Sequence, residues 1–127
     1  MSQQIIEKWL KDMSVSIEQH DLTAHMNLIS PHVHVYGLPS GRIVNYQQWK
    51  KRRQNEFGSK QLLALDYTLI KIKTIALRRL IFQVNEFMRD INHVCISINK
   101  DIILELEQDN CWRVVEEKIH NWKVEQS

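Results

Sequence analysis

The spacing of apolar residues along the chain changes near its middle. Over residues 3–19, apolar side chains recur at three- and four-residue intervals and form one stripe, which predicts an amphipathic helix. From residue 62 onward the spacing falls to about two, the period of a strand whose successive side chains point to opposite faces. Helices followed by strands are typical of an α+β domain, and we expect that fold class here.

Two shorter helices are predicted between these regions. Asp21 is placed to cap a helix over residues 22–29. The proline that follows this helix ends it, and the chain then extends as a short strand. Asn45 and Gln48 have the spacing of a capping box at the start of a third helix, over residues 46–57.

The second half of the chain predicts a sheet with apolar residues on both faces. Its strands are expected over residues 62–75, 78–88, 91–107 and 111–122, with the clearest turn at residues 108–110. A sheet in a small domain normally leaves one face in water. We therefore expect helices to cover one face and a second copy of the chain to cover the other, as a homodimer through the sheet.

Composition narrows the function classes. The 127 residues suit one domain, and a formal charge of +2 does not indicate a nucleic-acid partner. No window is apolar enough for a signal peptide or a membrane span, so no membrane partner is expected. Cys95 and Cys111 lack the spacing of a metal site or of a disulfide framework, which indicates a cytoplasmic protein. We expect neither a metal nor another cofactor.

Three stretches resemble the nuclear transport factor 2-like, or SnoaL-like, superfamily. Residues 20–41 resemble the segment in which the second helix leads into the first strand, and residues 46–57 resemble the helix that follows. Residues 105–118 resemble the final hairpin of the family. The resemblance implies one SnoaL-like domain over residues 1–127, with three N-terminal helices packed on a strongly curved antiparallel sheet in a cone shape.

The resemblance also implies where isomerase chemistry would lie. The general base of ketosteroid isomerase-like members falls at Gly37, the tyrosine of the oxyanion hole near Met13, and the neutral acid near Leu104. An enolising isomerase needs a base and hydrogen-bond donors at these places. None of the three residues supplies one, so that activity is not expected.

We interpret two segments, residues 32–36 and residues 50–53, as solvent-exposed faces rather than binding sites. In residues 32–36, alternation directs Val33 and Val35 into the cone and the histidines and tyrosine outward, which favours a polar strand face over a metal site. The basic run at residues 50–53 fans around a helix axis and does not form one patch. A solvated helix face is favoured over an anionic-ligand or nucleic-acid site.

Glu116 and Glu117 are the candidate catalytic residues. Alternation places one of the two on the concave face of the sheet, where apolar surroundings would raise its pKa and suit it to acid or base work. The alternative is a glutamate at the open rim, paired with Arg113 or Lys118. Both interpretations remain open from the sequence.

Further residues are expected to line a ligand pocket beneath the helices. They come from the predicted helices and from two of the strands, and they are Trp9, Met13, Val35, Gly37, Tyr46, Trp49, Asn85 and Glu86. Three functions follow: binding of a small apolar ligand, a SnoaL-like cyclase, isomerase or dehydratase that uses a pocket glutamate as base, or a dimeric protein-interaction module. The first is favoured because the isomerase residues are absent.

Overall fold

The protein is described by a computed structural model over residues 1–126. The elements, in chain order, are α1 (Ser2–Glu18), α2 (Leu22–Met26), β1 (Ile29–Tyr36), α3 (Tyr46–Gly58), β2 (Leu62–Ala76), β3 (Arg79–Asp90), β4 (Val94–Leu106) and β5 (Trp112–Gln126). The helices pack on a curved, unclosed five-stranded sheet, so the predicted α+β class is confirmed.

The strand order of the sheet is β1-β5-β4-β3-β2. The four long strands pair antiparallel, as predicted, whereas β1 runs parallel to β5 at the edge. β4 is one continuous strand, and α2 ends earlier than predicted, so that Pro31 lies within β1. Pro31 is tolerated there because β1 is an edge strand and the register is irregular around it.

The apolar stripe predicted for α1 packs against the core. Five apolar side chains of this helix are buried, and they are Ile6, Trp9, Leu10, Met13 and Ile17. The helix packs on β2, and the indole N–H of Trp9 donates to the carbonyl of Leu28 at 3.2 Å. Burial of each such side chain contributes roughly 1.5–3 kcal/mol, which fixes the helix over the concave face of the sheet.

Both predicted N-caps are confirmed. The Asp21 carboxylate accepts from the backbone N–H of Ala24, and Asn45 and Gln48 form the reciprocal capping box of α3. α3 then buries one side against the fold, and the interpretation of residues 50–53 as a wholly solvated face is wrong for Arg53. That side chain lies one helical turn after the buried Trp49 and is itself buried.

Two β-bulges in β5 decide which of its side chains face the helices. Val114 and Glu116 pair with adjacent residues of β4, so Val115 is an extra residue between them. A second extra residue is His120, between Ile119 and Asn121. As a result Val114, Glu117 and Ile119 share the inner face, although the odd spacing from 114 to 117 would separate them on a regular strand.

Candidate functional site

A cavity of about 90 Å³ lies between α3, β1 and the inner face of the sheet, and we call it the cone cavity. Its wall is aliphatic and aromatic apart from five charged side chains. The lining residues are Val35, Leu38, Pro39, Val44, Trp49, Arg52, Arg53, Glu86, Met88, Ile96, Ile98, Lys100, Glu117, Ile119 and Trp122. An apolar space with a few convergent polar groups is the usual form of a small-molecule site.

Glu86, Lys100 and Glu117 meet at the inner end of the cavity, and we call these three residues the charged floor. They come from adjacent strands, β3, β4 and β5, on which each takes an inward position. The Lys100 ammonium lies 2.8 Å from Glu86 Oε2 and 2.8 Å from Glu117 Oε1. Each side chain is at most 5% exposed, so these ion pairs are shielded from solvent.

The two carboxylates of the charged floor are not equivalent. Burial, followed by the nearby charge of Glu86, raises the pKa of Glu117 despite the opposing effect of Lys100. Burial also acts to raise the pKa of Glu86, but Lys100 and Arg53 outweigh it and lower that pKa. Glu117 is therefore the member of the pair that takes up a proton first.

Glu117 also has an unused hydrogen-bond acceptor. Its Oε1 accepts from Lys100, while Oε2 is buried and has no hydrogen-bond partner within residues 1–126. Lys100 itself is held as a cation. Burial would lower its pKa, but the two flanking carboxylates raise it.

Tyr67 of β2 extends this polar row by one strand. It is the paired residue of Glu86 in the β2–β3 ladder, and its hydroxyl is buried. Burial, followed by the charges of Glu86 and Glu117, raises the pKa of the phenol well above its usual value. The hydroxyl lies near the Glu86 carboxylate but makes no hydrogen bond of regular geometry to any described residue. Tyr67 is therefore a neutral phenol beside the ionised floor.

His25 of α2 joins the three helices behind the cavity. Its Nε2 accepts from Trp49 Nε1 at 3.1 Å and from Arg53 Nε at 3.3 Å. Because both partners can only donate there, the ring proton belongs on Nδ1, which lies 3.0 Å from Ser16 Oγ. Ser16 in turn donates to the carbonyl of Met13. Burial, then the charges of Arg53 and Lys100, lower the pKa of His25 to about 2, so the ring is neutral.

This network fixes Arg53 at the side of the cavity. Its Nε is engaged by His25, and its Nη1 lies 2.5 Å from Glu56 Oε1 on the same helix. The guanidinium also lies 5.9 Å from the Trp49 ring centroid, a distance suited to a cation–π contact. α3 thus supplies a positioned cation beside the charged floor.

Within the described residues, no group of three or more His, Cys, Asp and Glu side chains is arranged to hold a metal ion. Nor does that part of the chain contain a helix that is long and apolar enough to cross a lipid bilayer.

No protein-family model matches the sequence, and a comparison with curated proteins gives no match. Solved structures do match. An NTF-2 like protein of unknown function from Shewanella oneidensis superposes with a TM-score of 0.79 at 15% identity, over 94% of this chain and 98% of that one. The chain has the NTF2-like fold. A scytalone dehydratase-like protein from Novosphingobium aromaticivorans superposes with a TM-score of 0.75 at 11% identity, over 99% of this chain and 87% of that one. A ketosteroid isomerase-like protein from Erwinia carotovora atroseptica superposes with a TM-score of 0.67 at 9% identity, over 93% of this chain and 95% of that one.

Four of the predicted site residues line the cone cavity. They are Val35, Trp49, Glu86 and Glu117. Glu116 instead points to the outer face, 28% exposed and 4.0 Å from Lys118. Glu117 pairs with the inward Ile102 of β4 and Glu116 with the outward Ile103, and this register decides which of the two adjacent glutamates faces the cavity.

Four other predicted lining residues lie elsewhere in the NTF2-like fold. Asn85 is on the outer face and accepts from Asn99, because it neighbours the inward Glu86 on a regular strand. Trp9 and Met13 belong to the packed core on the buried side of α1. Tyr46 borders an open surface groove beside α2. Core packing directs Trp9 and Met13 away from the cone cavity and strand alternation directs Asn85 away from it, while Tyr46 lies at the groove instead.

Gly37 lies just after β1, beside the cavity rather than on its wall. Its φ is +87°, a backbone conformation that side-chain-bearing residues rarely adopt. A Cβ built on it would collide with the backbone carbonyl of Ile119, closer than any real Cβ contact. The position is therefore restricted to glycine by both its conformation and its neighbour.

Lys100, Arg53 and His25 were missed by reasoning from the sequence. A signal existed for Lys100, which is the charged member of an alternating run whose neighbours on the same face are Ile98 and Ile102. A cation in an otherwise apolar face indicates a buried partner of opposite charge. For Arg53 the signal was the three- and four-residue spacing from Trp49 and to Phe57.

Proposed function

We propose that this NTF2-like domain binds a small, largely apolar molecule in the cone cavity, where the molecule donates a hydrogen bond to Glu117. The observation that supports it is the buried Oε2 atom of Glu117, which has no protein partner in the described part of the chain. A buried polar atom left unsatisfied costs about 1–3 kcal/mol, and more when charged. A ligand that supplies the missing donor recovers that free energy.

The walls of the cavity support the same proposal. Ile98 and Val35 are buried on the cavity lining, and the indole rings of Trp49 and Trp122 face it from α3 and β5. Trp122 is 46% exposed, as expected of a residue at the entrance. A volume of about 90 Å³ admits at most one aromatic ring, with part of the ring in the open entrance. An interior filled by its own side chains, as the interaction-module hypothesis requires, would leave no such space.

A second candidate function is proton transfer, with Glu117 as general base. The raised pKa of Glu117 favours it, because a base titrating closer to neutral pH transfers protons more effectively. The adjacent Lys100 ammonium would stabilise negative charge that develops on a substrate. The isomerase positions do not contribute, since Met13 and Leu104 are buried core residues and Gly37 has no side chain.

Binding is tested with a library of single-ring fragments, monitored by amide and methyl chemical shifts. Fragments are expected to shift the signals of Val35, Ile98 and Ile119, which line the cavity. Ile96→Trp, at a half-buried lining position, should block the cavity and abolish these shifts while the variant still unfolds cooperatively. Shifts that persist in Ile96→Trp, or a library without any hit at the cavity, would contradict the proposal.

We also propose that the protein works in the cytoplasm, on the support of its two free cysteines. Cys95 and Cys111 are half-buried and unpaired with each other. Free thiols persist in a reducing compartment. Fractionation of the source cells should recover the protein with both thiols reduced, and recovery with oxidised thiols from another compartment would contradict the assignment.

A further inference from the structure

We infer that the cone cavity selects an uncharged, single-ring molecule that carries one O–H or N–H donor, and that this donor points at Glu117. The inference rests on the proposed function and adds the charge and hydrogen-bonding type of the ligand. Three observations carry it: the balance of charges around the cavity, the identity of the unpartnered atom, and the size of the cavity.

The charges around the cavity already cancel. Three cations line it, Lys100, Arg52 and Arg53, together with the carboxylates of Glu86 and Glu117. The remaining carboxylate is that of Glu56, which lies 3.9 Å from Arg52 and 2.5 Å from Arg53. A charged ligand would enter this low-dielectric space without a counter-charge, at a high desolvation cost. A neutral ligand avoids that cost.

The unpartnered atom specifies a donor. Among the buried side-chain atoms without a partner in residues 1–126, Glu117 Oε2 is the one that belongs to a cavity-lining residue. The opposing cation is occupied, since Lys100 donates to both floor carboxylates at 2.8 Å. A ligand with a carboxylate would place a second anion against Oε2, whereas an O–H or N–H would complete its hydrogen bonding.

The size of the space limits the ligand to about one ring. The cavity volume of about 90 Å³ is smaller than the roughly 150 Å³ of an apolar cavity that encloses benzene, so one ring would occupy the whole cavity and its outer edge would lie in the open entrance beside Trp122. A ring with its donor at Glu117 would therefore fill the inner end, with aliphatic contacts from Ile98 and Val35 on its faces. Longer molecules would extend past Trp122 into solvent.

The test uses four fluorinated rings of nearly equal size and ¹⁹F NMR. Para-fluorophenol is neutral and has a donor, para-fluoroanisole is neutral without one, para-fluorobenzoate is an anion and para-fluorobenzylamine is a cation. We expect para-fluorophenol to bind at least about tenfold more tightly than each of the other three, because each of those leaves Glu117 unpaired or adds an uncompensated charge.

Glu117→Gln supplies a sharper readout than loss of binding. The amide oxygen of the glutamine should face Lys100, which leaves its NH₂ group in the place of the unpartnered Oε2 and converts the acceptor into a donor. Para-fluorophenol should lose at least about tenfold in affinity, because a neutral amide N–H bonded to the phenol oxygen is weaker than a phenol O–H bonded to a carboxylate, while para-fluoroanisole should bind as well as before or better. Glu116→Gln, one residue away on the outer face, is the matched control and should change neither affinity.

The outcomes separate the inference from the proposed function. If none of the four rings binds to the wild-type protein, both the proposed function and the inference fail. If para-fluoroanisole, the anion or the cation binds as tightly as para-fluorophenol, the cavity still binds small molecules but the inference is wrong. An unchanged preference for para-fluorophenol in Glu117→Gln would also overturn it, because the donor would then point elsewhere.

Discussion

At the scale of single residues, Lys100 determines whether two buried carboxylates can share one small space. Glu86 and Glu117 both lie within 2.8 Å of its ammonium, and all three side chains are shielded from water. Replacement of the whole triad by apolar residues of similar volume would be tolerated far better than removal of its cation, since a buried charge without a partner is more costly than no charge.

Lys100→Met should therefore destabilise the protein by about 3–5 kcal/mol at neutral pH. The loss should shrink as the pH falls. Without the cation, the folded-state pKa of each floor carboxylate rises above its unfolded value, so the folded state binds more protons and gains stability on acidification. Urea unfolding over a pH series measures this. If Lys100→Met lowers the free energy of unfolding by less than about 1 kcal/mol at all pH values, the buried ion pairs are contradicted.

His25 makes a contribution of opposite sign to the pH dependence of stability. Its folded-state pKa is lowered to about 2 from 6.5, so the unfolded chain takes up the proton first as the pH falls. The stability due to the neutral ring is fully present above pH 6.5 and is lost towards pH 2, with a slope that approaches about 1.4 kcal/mol per pH unit.

The contribution of His25 is isolated by comparing the wild-type protein with His25→Gln. Glutamine retains an oxygen that can accept from Trp49 but does not titrate in this range. Between about pH 7 and about pH 5, the wild-type free energy of unfolding should fall more steeply than that of the variant. Parallel pH profiles for the two proteins would show that His25 titrates normally in the folded state.

At the scale of elements, β5 shows how a strand can present an adjacent pair of glutamates to different environments. The extra residue Val115 lets Val114 and Glu117 face the same side, and Glu116 is left on the other side beside Lys118. The bulge adds Val115 without shifting the β4–β5 pairs on either side of it. The inward position of Glu117 therefore depends on those pairs and not on Val115 itself.

Deletion of Val115 should therefore leave a regular strand with Glu117 still inside. We expect a loss of no more than about 2 kcal/mol and retained binding of para-fluorophenol. Deletion of Lys118, outside the bulges, should instead turn Ile119 outward and cost at least about 4 kcal/mol. Urea unfolding and ¹⁹F NMR of the two deletions provide the comparison, and equal effects would show that Val115 is not a spare residue in the ladder.

Much of the element order could be predicted from the sequence, because local signals carry it. The stripe of α1, the caps at Asp21 and Asn45 and the period of the long strands each depend on near neighbours in the chain. The bulges could not be predicted in this way. They are fixed by pairing between β4 and β5, and a β-bulge leaves the apolar alternation of the sequence ambiguous by one position.

At the scale of the whole molecule, the outer face of the sheet differs from the expected apolar surface. Its centre carries a row of amides in which Gln83 donates to Asn99 and Asn99 donates to Asn85. Ile119 lies on the same inner face as Val114, although the odd spacing between them would place them on opposite faces of a regular strand. The outer face is therefore less apolar than the sequence pattern predicts, although Ile103 on this face is 5% exposed.

We still propose a homodimer through this outer face, and it is tested by light scattering. The wild-type protein should have twice the mass of one chain at micromolar concentration. Asn99→Lys, which would bring like charges together at the centre of the face, should yield the monomer without a change in circular dichroism. Gln4→Lys on the exposed side of α1 is the control and should remain dimeric. A monomeric wild-type protein would show that the prediction is wrong.

The candidate site was only partly predictable because its members come from distant parts of the chain. Val35, Glu86 and Glu117 are separated by 51 and 31 positions and meet through the sheet order alone. The sequence could offer Glu116 and Glu117 as alternatives but could not choose between them. It also gave no sign that His25 of α2 would receive hydrogen bonds from Trp49 and Arg53 of α3.

The close approach of Gly37 to the backbone of Ile119 has a consequence for how this lineage could change. A base at this position is one step away in the genetic code, since a glycine codon becomes an aspartate codon by one nucleotide change. The substitution is sterically excluded in this structure, because any side chain at Gly37 would have to displace β5, the strand that carries Glu117. A lineage that gained a base at this position would thus first have to shift β5 and the Glu117 that it carries.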